Sequence, residues 1–395
     1  MKNKYTIGSF PFYWRTFDSN HKVDYPVVNL KFEISFDDST GCMIQVRNNK
    51  LLKTLNDVYE LDHGIGYLQE DREEFQSYGM EWIQFILDYT LDLKNRANIT
   101  ILDIGCGGGG VLKKLFEHYQ RPKLIGIDPS PISREMGKGL KIISDYYPTF
   151  QNYEAPDIIL NYDVLEHIID PLSFLRNIYN DLNNNGYMFL KVPDCSKSFD
   201  NGDISILSHE HLNYFTEDTL ENIVRLAGFE DVNIYPGKIG GSLFCKAKKC
   251  FSNDKKTNNS DPNLKDIKTQ LEYNGEKEFE DFLIKHKNLK KRITDLFKKY
   301  DNNEIGFYVP LRAIPYLSNF EFSKPFRFFD DGKFFVNKYL DGYEDTIIED
   351  FNGLVDNPVD VIFIMTHSFS DIIEKKIIDA NLDCDIVKLS SLFSH

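Results

Sequence analysis

Ile99-Thr100-Ile101-Leu102-Asp103-Ile104-Gly105-Cys106-Gly107-Gly108-Gly109-Gly110 is the stretch from which the rest of this chain is read. An apolar run ends in glycines, and Val111, Leu112, Leu115, Phe116 and Tyr119 then recur at helical spacing. Strand, tight turn and helix are expected. Glycine lets a ligand approach the backbone where any Cβ would collide, and the start of a helix presents unpaired N–H groups. Dinucleotide-binding folds use such a turn too, so the glycines alone do not name the ligand. Asp103, inside the strand, makes the order Asp-x-Gly-x-Gly-x-Gly, and nicotinamide folds need no acid two residues before their first glycine.

That order is the pattern of S-adenosylmethionine loops in class I methyltransferases, and the next elements fit the same plan. Leu124-Ile125-Gly126-Ile127-Asp128 reads as a second strand whose terminal acid, roughly 20 residues beyond the turn, is placed to hold ribose hydroxyls. The alternative for Asp128 is a helix N-cap before Pro129. Lys141-Ile142-Ile143-Ser144-Asp145 is a third strand, with Asp145 suited to the adenine amino group or, alternatively, opening the loop that contains Tyr146. The cofactor-binding set expected from sequence is therefore Asp103, Gly105, Gly107, Gly109, Asp128, Pro129, Asp145, Tyr146 and, after the fourth strand, Asp163.

The chain has 395 residues, 42% of them apolar and 14% aromatic, enough for two or three domains with real cores. Lys and Arg total 46 against 61 Asp and Glu, and the net charge of −15 argues against a nucleic-acid substrate. No apolar run approaches the roughly 20 residues of a membrane span, and Met1 to Tyr5 has no signal-like core, so a cytoplasmic protein is expected. Six cysteines form no C-x-x-C pair, which speaks against a zinc site or a disulfide framework.

Four segments are expected. Residues 1–75 read as a β-rich module with a hairpin at Asp37-Asp38-Ser39-Thr40-Gly41. Residues 76–250 are the cofactor domain, entered by an amphipathic helix (Trp82, Phe85, Ile86, Tyr89) and closed by strands near Val232–Tyr235 and Ser242–Lys246. Residues 251–303 are a polar linker, loop over Asn253–Asn263 and charged helix over Phe279–Tyr300. Residues 304–395 carry four strand candidates and read as a second α/β domain.

Ser208-His209-Glu210-His211-Leu212-Asn213-Tyr214 follows the fifth strand, on the side where open α/β sheets bind ligands. Imidazole is the side chain whose proton affinity sits near neutral pH, and an acceptor must lose a proton before it can attack an activated methyl group. His-x-His is also a metal-ligand spacing, but an isolated pair is a weak metal signal, and no metal is assigned. Glu166-His167, after the fourth strand, reads equally as a cap and as a contact to substrate or cofactor.

These residues resemble the sugar C-methyltransferase family of class I S-adenosylmethionine-dependent methyltransferases. Asp103 to Gly109, His209-Glu210-His211 with Tyr214, and Gly240-Gly241-Ser242-Leu243 carry the resemblance. It implies a Rossmann-like methyltransferase domain between a small N-terminal module and a C-terminal Rossmann-like α/β domain, acting on a nucleotide-linked keto sugar. It implies His211, oriented by Glu210, as the base, with His209 and Tyr214 positioning the sugar. A sugar or glycan O-methyltransferase and a silent binding protein are the alternatives. The chain departs from the family at Ser208, where a tyrosine is usual, at Asp163, where an asparagine is usual, and in lacking the N-terminal zinc cysteines; only Cys42, His21 and His63 stand there.

Overall fold

The structure, a computed structural model, describes residues 4–12, 16–17, 29–61, 75–129, 140–149, 152–238, 240–250, 262–333 and 335–393. Its central sheet runs in the spatial order Asp231–Pro236, Ser242–Lys248, Tyr187–Pro193, Ile158–Tyr162, Thr100–Ile104, Lys123–Asp128, Leu140–Ser144. The last five strands are parallel, and Ser242–Lys248 is antiparallel to both of its neighbours. This is the expected Rossmann-like methyltransferase plan with its terminal hairpin.

The strands are apolar on both faces because both faces are covered. Leu102, Ile104, Ile159 and Leu190 pack with Phe174, Ile178 and Ile223 of helices Pro171–Asp181 and Glu217–Leu226. Ile101, Leu160 and Phe189 pack on the other side with Trp82, Ile86 and Leu112 of helices Met80–Tyr89 and Gly110–Phe116. Asp170 caps Pro171–Asp181 by accepting from the Ser173 N–H at 3.0 Å, and Thr216 caps Glu217–Leu226. Strand Thr100–Ile104 lies between the second and the fourth strands, so the chain leaves the sheet in opposite directions after Ile104 and after Tyr162. A crevice opens outside those carboxyl ends.

The N-terminal sheet joins Tyr5–Pro11, Asn29–Phe36 and Met43–Gln45 in antiparallel order, with the expected turn closed by the Ser39 N–H donating to Asp37 Oδ1 at 2.9 Å. Its fourth strand, Asn213–Tyr214, comes from the His-Glu-His loop. A helix not anticipated in this segment, Asn49–Leu61, buries Leu51 and Leu55 against Phe12 and Leu212. Tyr13, Trp14 and the 18–28 segment lie outside the described residues, as do His21 and His63.

The linker differs from expectation in its first part. A single helix, Pro262–Tyr300, already includes Pro262 and Asn263, which had read as loop; proline is at home in the first turn of a helix, where its missing N–H costs nothing. Residues 251–261 lie outside the described residues. Phe279, Phe282, Leu289, Ile293 and Phe297 recur along one face and join a core shared with the N-terminal and C-terminal sheets. That last sheet is wholly parallel, ordered Ile348–Glu349, Phe326–Phe329, Ile305–Tyr308, Val361–Ile364, Asp385–Lys388. Its two-residue edge strand carries no pattern to read. Among the described residues, no helix is long and apolar enough to cross a membrane.

Candidate functional site

The glycine loop leaves the sheet at Gly105, whose φ of +77° suits glycine and where a Cβ would collide with Val164 Cγ2. Gly107 (φ +49°) donates its N–H to Asp128 Oδ2 at 2.8 Å, tying the turn to the end of the second strand. Gly109, with φ +74°, precedes the first helical turn. Asp103 is 4% exposed beneath this loop, and burial, followed by the charge of Asp128, pushes its carboxyl up to about 7. Two carboxylates are thus gathered in low dielectric under a loop built for close approach.

At the third strand the Asp145 N–H donates to the Asp128 carbonyl at 3.2 Å. The Asp145 carboxylate accepts from the Tyr146 N–H (2.8 Å) and the Thr149 hydroxyl (2.5 Å), which is the loop-opening role weighed for it from sequence. Tyr146 is 58% exposed, and Pro129 is exposed at the edge of the described segment. Asp163 holds a left-handed backbone (φ +52°), and both of its oxygens take the Lys191 ammonium, at 2.5 and 2.8 Å. A lysine inside the otherwise apolar strand Tyr187–Pro193 was the available signal for this pair, and it went unread.

The second half of the crevice is a wall stitched from two distant loops. The Leu212 N–H donates to the Glu166 carbonyl (2.8 Å), and Asn213 Nδ2 to the Ile168 carbonyl (2.7 Å). His167 Nδ1 lies 3.0 Å from the Glu210 carbonyl, an acceptor only, so this nitrogen carries the proton and Nε2 presents the lone pair. The rings of His167 and His211 stand edge to face, 5.0 Å apart. Glu166 completes the group: one ligand atom each from Glu166, His167 and His211 lie within 4.8 Å of one another. Glu166 is 1% exposed and neither carboxylate oxygen has a hydrogen-bond partner. Burial, then the neighbouring Asp163 carboxylate, pushes the Glu166 pKa well above the usual carboxyl range, while burial pushes those of both histidines down.

The loop residues therefore divide in a way the sequence did not show. His211 stands partly exposed beside His167 and Glu166. His209 does not: it is 2% exposed, packed among Phe10, Phe12 and Phe32 at ring distances of 4.6, 5.8 and 5.0 Å, with the Gln45 amide 3.0 Å from Nδ1. A turn from Ser208 to His211 sends the two imidazoles apart. Tyr214, expected at the sugar, is 1% exposed and its hydroxyl donates to the Ser208 carbonyl at 3.0 Å, closing the loop on itself. Glu210 enters through its backbone carbonyl on His167, and the carboxylate grouped with His211 is that of Glu166.

The C-terminal domain faces the same region. Arg312 Nη1 donates to the Ser205 carbonyl (3.3 Å), and the Tyr316 hydroxyl to buried Asp203 (2.8 Å). Gly241, at φ +66°, lies beside Ser368, where a Cβ would be in van der Waals contact with its hydroxyl at 3.4 Å.

Residues 69–234 match a protein family described as a methyltransferase domain. The ubiquinone biosynthesis O-methyltransferase of Ruegeria pomeroyi is 29% identical over 161 residues, covering 35% of this chain and 62% of the relative. That of Dinoroseobacter shibae is 29% identical over 174 residues, covering 38% and 68%. The chain spans less than two thirds of the length of the first of these relatives. Among solved structures, the N-methyltransferase NodS of Bradyrhizobium japonicum in complex with S-adenosyl-L-homocysteine aligns with a TM-score of 0.36 at 15% identity, over 51% of this chain and 99% of that one.

Proposed function

From the premise that residues 69–234 form a class I methyltransferase domain, we propose that this chain is an S-adenosylmethionine-dependent methyltransferase whose acceptor is a nucleotide-linked keto sugar. The observation that carries the reading is buried Asp103 with the Asp128 charge close by, Asp128 being bonded to the Gly107 N–H of the glycine loop, which fits a nucleoside ligand bearing positive charge. When bound, S-adenosylmethionine supplies a methyl group already activated on a sulfonium. Gly105, Gly107 and Gly109 would give it backbone room, Asp128 and Pro129 would face its ribose, and Asp145 and Tyr146 its adenine. Asp103 would balance its positive charge.

The chain's remaining task is to make the acceptor nucleophilic. A carbon beside a ketone must lose a proton, and Glu166, His167 and His211 form the group of acid–base side chains where that loss is assigned. His211 takes the proton in this reading. The C-terminal domain, through Arg312 and the segment around Ser368, would enclose the rest of the acceptor. Methylation of oxygen is the second reading, favoured by the matched region of the O-methyltransferases, and the same group would then deprotonate a hydroxyl.

Incubating the full chain with methyl-labelled cofactor and a panel of nucleotide-linked sugars, read by mass spectrometry, tests both steps. Transfer to a keto sugar supports the proposal. Cofactor binding without transfer to any member removes the acceptor class, and failure to bind the cofactor removes the methyltransferase reading itself.

A further inference from the structure

Glu166 presents a problem that acid–base roles alone do not solve. Its carboxyl is 1% exposed, neither oxygen has a hydrogen-bond partner, and its charged neighbours Asp163 and Lys191 are paired with each other through both Asp163 oxygens. A buried polar group without a partner is costly, and buried carboxyls are ordinarily hydrogen-bonded, paired or coordinated to a metal. What it faces is two imidazoles, from His167 and His211, with one ligand atom of each residue within 4.8 Å of the others.

We propose that Glu166, His167 and His211 bind a divalent transition-metal ion of the zinc class, leaving a coordination position open to an oxygen of the acceptor. The donor set, two histidines and one carboxylate, is that of catalytic zinc sites with an open position. A metal roughly 2.0–2.2 Å from each donor would draw the three atoms, now within 4.8 Å of one another, inward to about 3–3.5 Å apart. His167 already has the supporting hydrogen bond that metal-ligating histidines use: its Nδ1–H donates to the Glu210 carbonyl at 3.0 Å, which turns Nε2 into the donor atom. The Leu212 bond to Glu166 and the Asn213 bond to Ile168 fix the two loops that supply the ligands.

This inference rests on the proposed function and changes the agent of one step within it. His211 becomes a ligand, and an ion holding an acceptor oxygen would make the C–H beside a ketone, or the O–H of a hydroxyl, more acidic; the proton passes to water and its bonding pair stays on the acceptor as enolate or alkoxide, ready for the methyl group. Both the ketone of a keto sugar and a hydroxyl offer such an oxygen.

The test uses the full chain, dialysed against chelator and titrated with cobalt(II) alone. Saturable uptake of one equivalent, with the intense visible bands of four- or five-coordinate cobalt and displacement by zinc, is expected. Glu166→Gln keeps the side chain's shape, and His211→Ala removes one ligand at the less buried edge; each should weaken cobalt binding by at least tenfold and bleach the bands. Thermal melting confirms that both variants fold. No saturable uptake by the wild-type chain, or uptake unchanged in both variants, overturns the site. Calorimetry with the cofactor separates the readings: a chain that binds cofactor and transfers methyl groups at full rate in chelator loses the metal and keeps the proposed function.

Discussion

The backbone N–H of Leu212 donates to the carbonyl of Glu166 at 2.8 Å, joining two loops that leave different strands of the central sheet. Asn213 extends the joint. Its side-chain nitrogen donates to the Ile168 carbonyl at 2.7 Å, its oxygen accepts from Arg47 at 3.1 Å, and its backbone pairs with Ile44 of the N-terminal sheet. The N-terminal segment thereby helps set where His167 and His211 stand.

Asn213→Ala should separate that role from cofactor binding. The substitution leaves buried carbonyls without their donor, at a cost of about 1–3 kcal/mol in stability. Turnover should fall while calorimetric cofactor affinity stays within a factor of two. A variant that loses stability but keeps wild-type turnover would show that the loops hold their positions without it.

The Asp103 carboxyl, raised to about 7 by burial and by Asp128, gives cofactor affinity a pH dependence of definite sign. A cationic ligand favours the ionised form, so affinity should be level above about 7 and weaken below it by up to roughly tenfold per pH unit. For the ligand-free chain the shift runs from 3.8 up to about 7, so this group's contribution to stability is present at acid pH and is lost as pH rises across that interval. Asp103→Asn should flatten both profiles. Calorimetric titrations from pH 6 to 8 and denaturant midpoints from pH 4 to 7 check them, and a wild-type affinity independent of pH would take Asp103 out of contact with the ligand's charge.

Asp128 is tied to the loop through Gly107, so its loss should act twice. Asp128→Ala should weaken cofactor binding by about 1.5–3 kcal/mol, the scale of a hydrogen bond to a charged group. Asp128→Asn, which can still accept from the Gly107 N–H, should recover part of that loss if the loop bond contributes. Unchanged affinity in a folded Asp128→Ala protein would remove the residue from the site.

The glycine loop was legible because its signal is local: strand, turn and helix follow one another, and Asp103 sits in the same five-residue strand that positions it. The wall built from the Glu166 and His211 loops was harder to read. Glu210 is adjacent to His211 in sequence, yet the carboxylate grouped with that imidazole in space belongs to Glu166, supplied by the turn Leu165–His167. No spacing rule reports a meeting between loops from different strands. His209 was misread for a related reason: a histidine in a polar-looking loop gives no hint of the aromatic cluster waiting for it on Phe10, Phe12 and Phe32. Lys191 was readable in principle, since a charge in a strand covered on both faces demands a partner.

Carbon and oxygen acceptors can be told apart at His211. Generating an enolate exchanges the proton next to the ketone with solvent, and when that step is reversible the exchange need not wait for methyl transfer. Deprotonating a hydroxyl leaves every carbon-bound proton in place. Incubating the full chain with an accepted keto sugar nucleotide in deuterated water, with S-adenosylhomocysteine in place of the methyl donor, should wash deuterium into one ring carbon. His211→Ala should abolish both this exchange and turnover with little change in cofactor affinity, because the residue serves the acceptor side. A wild-type product bearing its new methyl on oxygen would overturn carbon methylation and leave the methyltransferase reading intact. Full turnover by His211→Ala would move acceptor activation elsewhere in the crevice, with either acceptor atom.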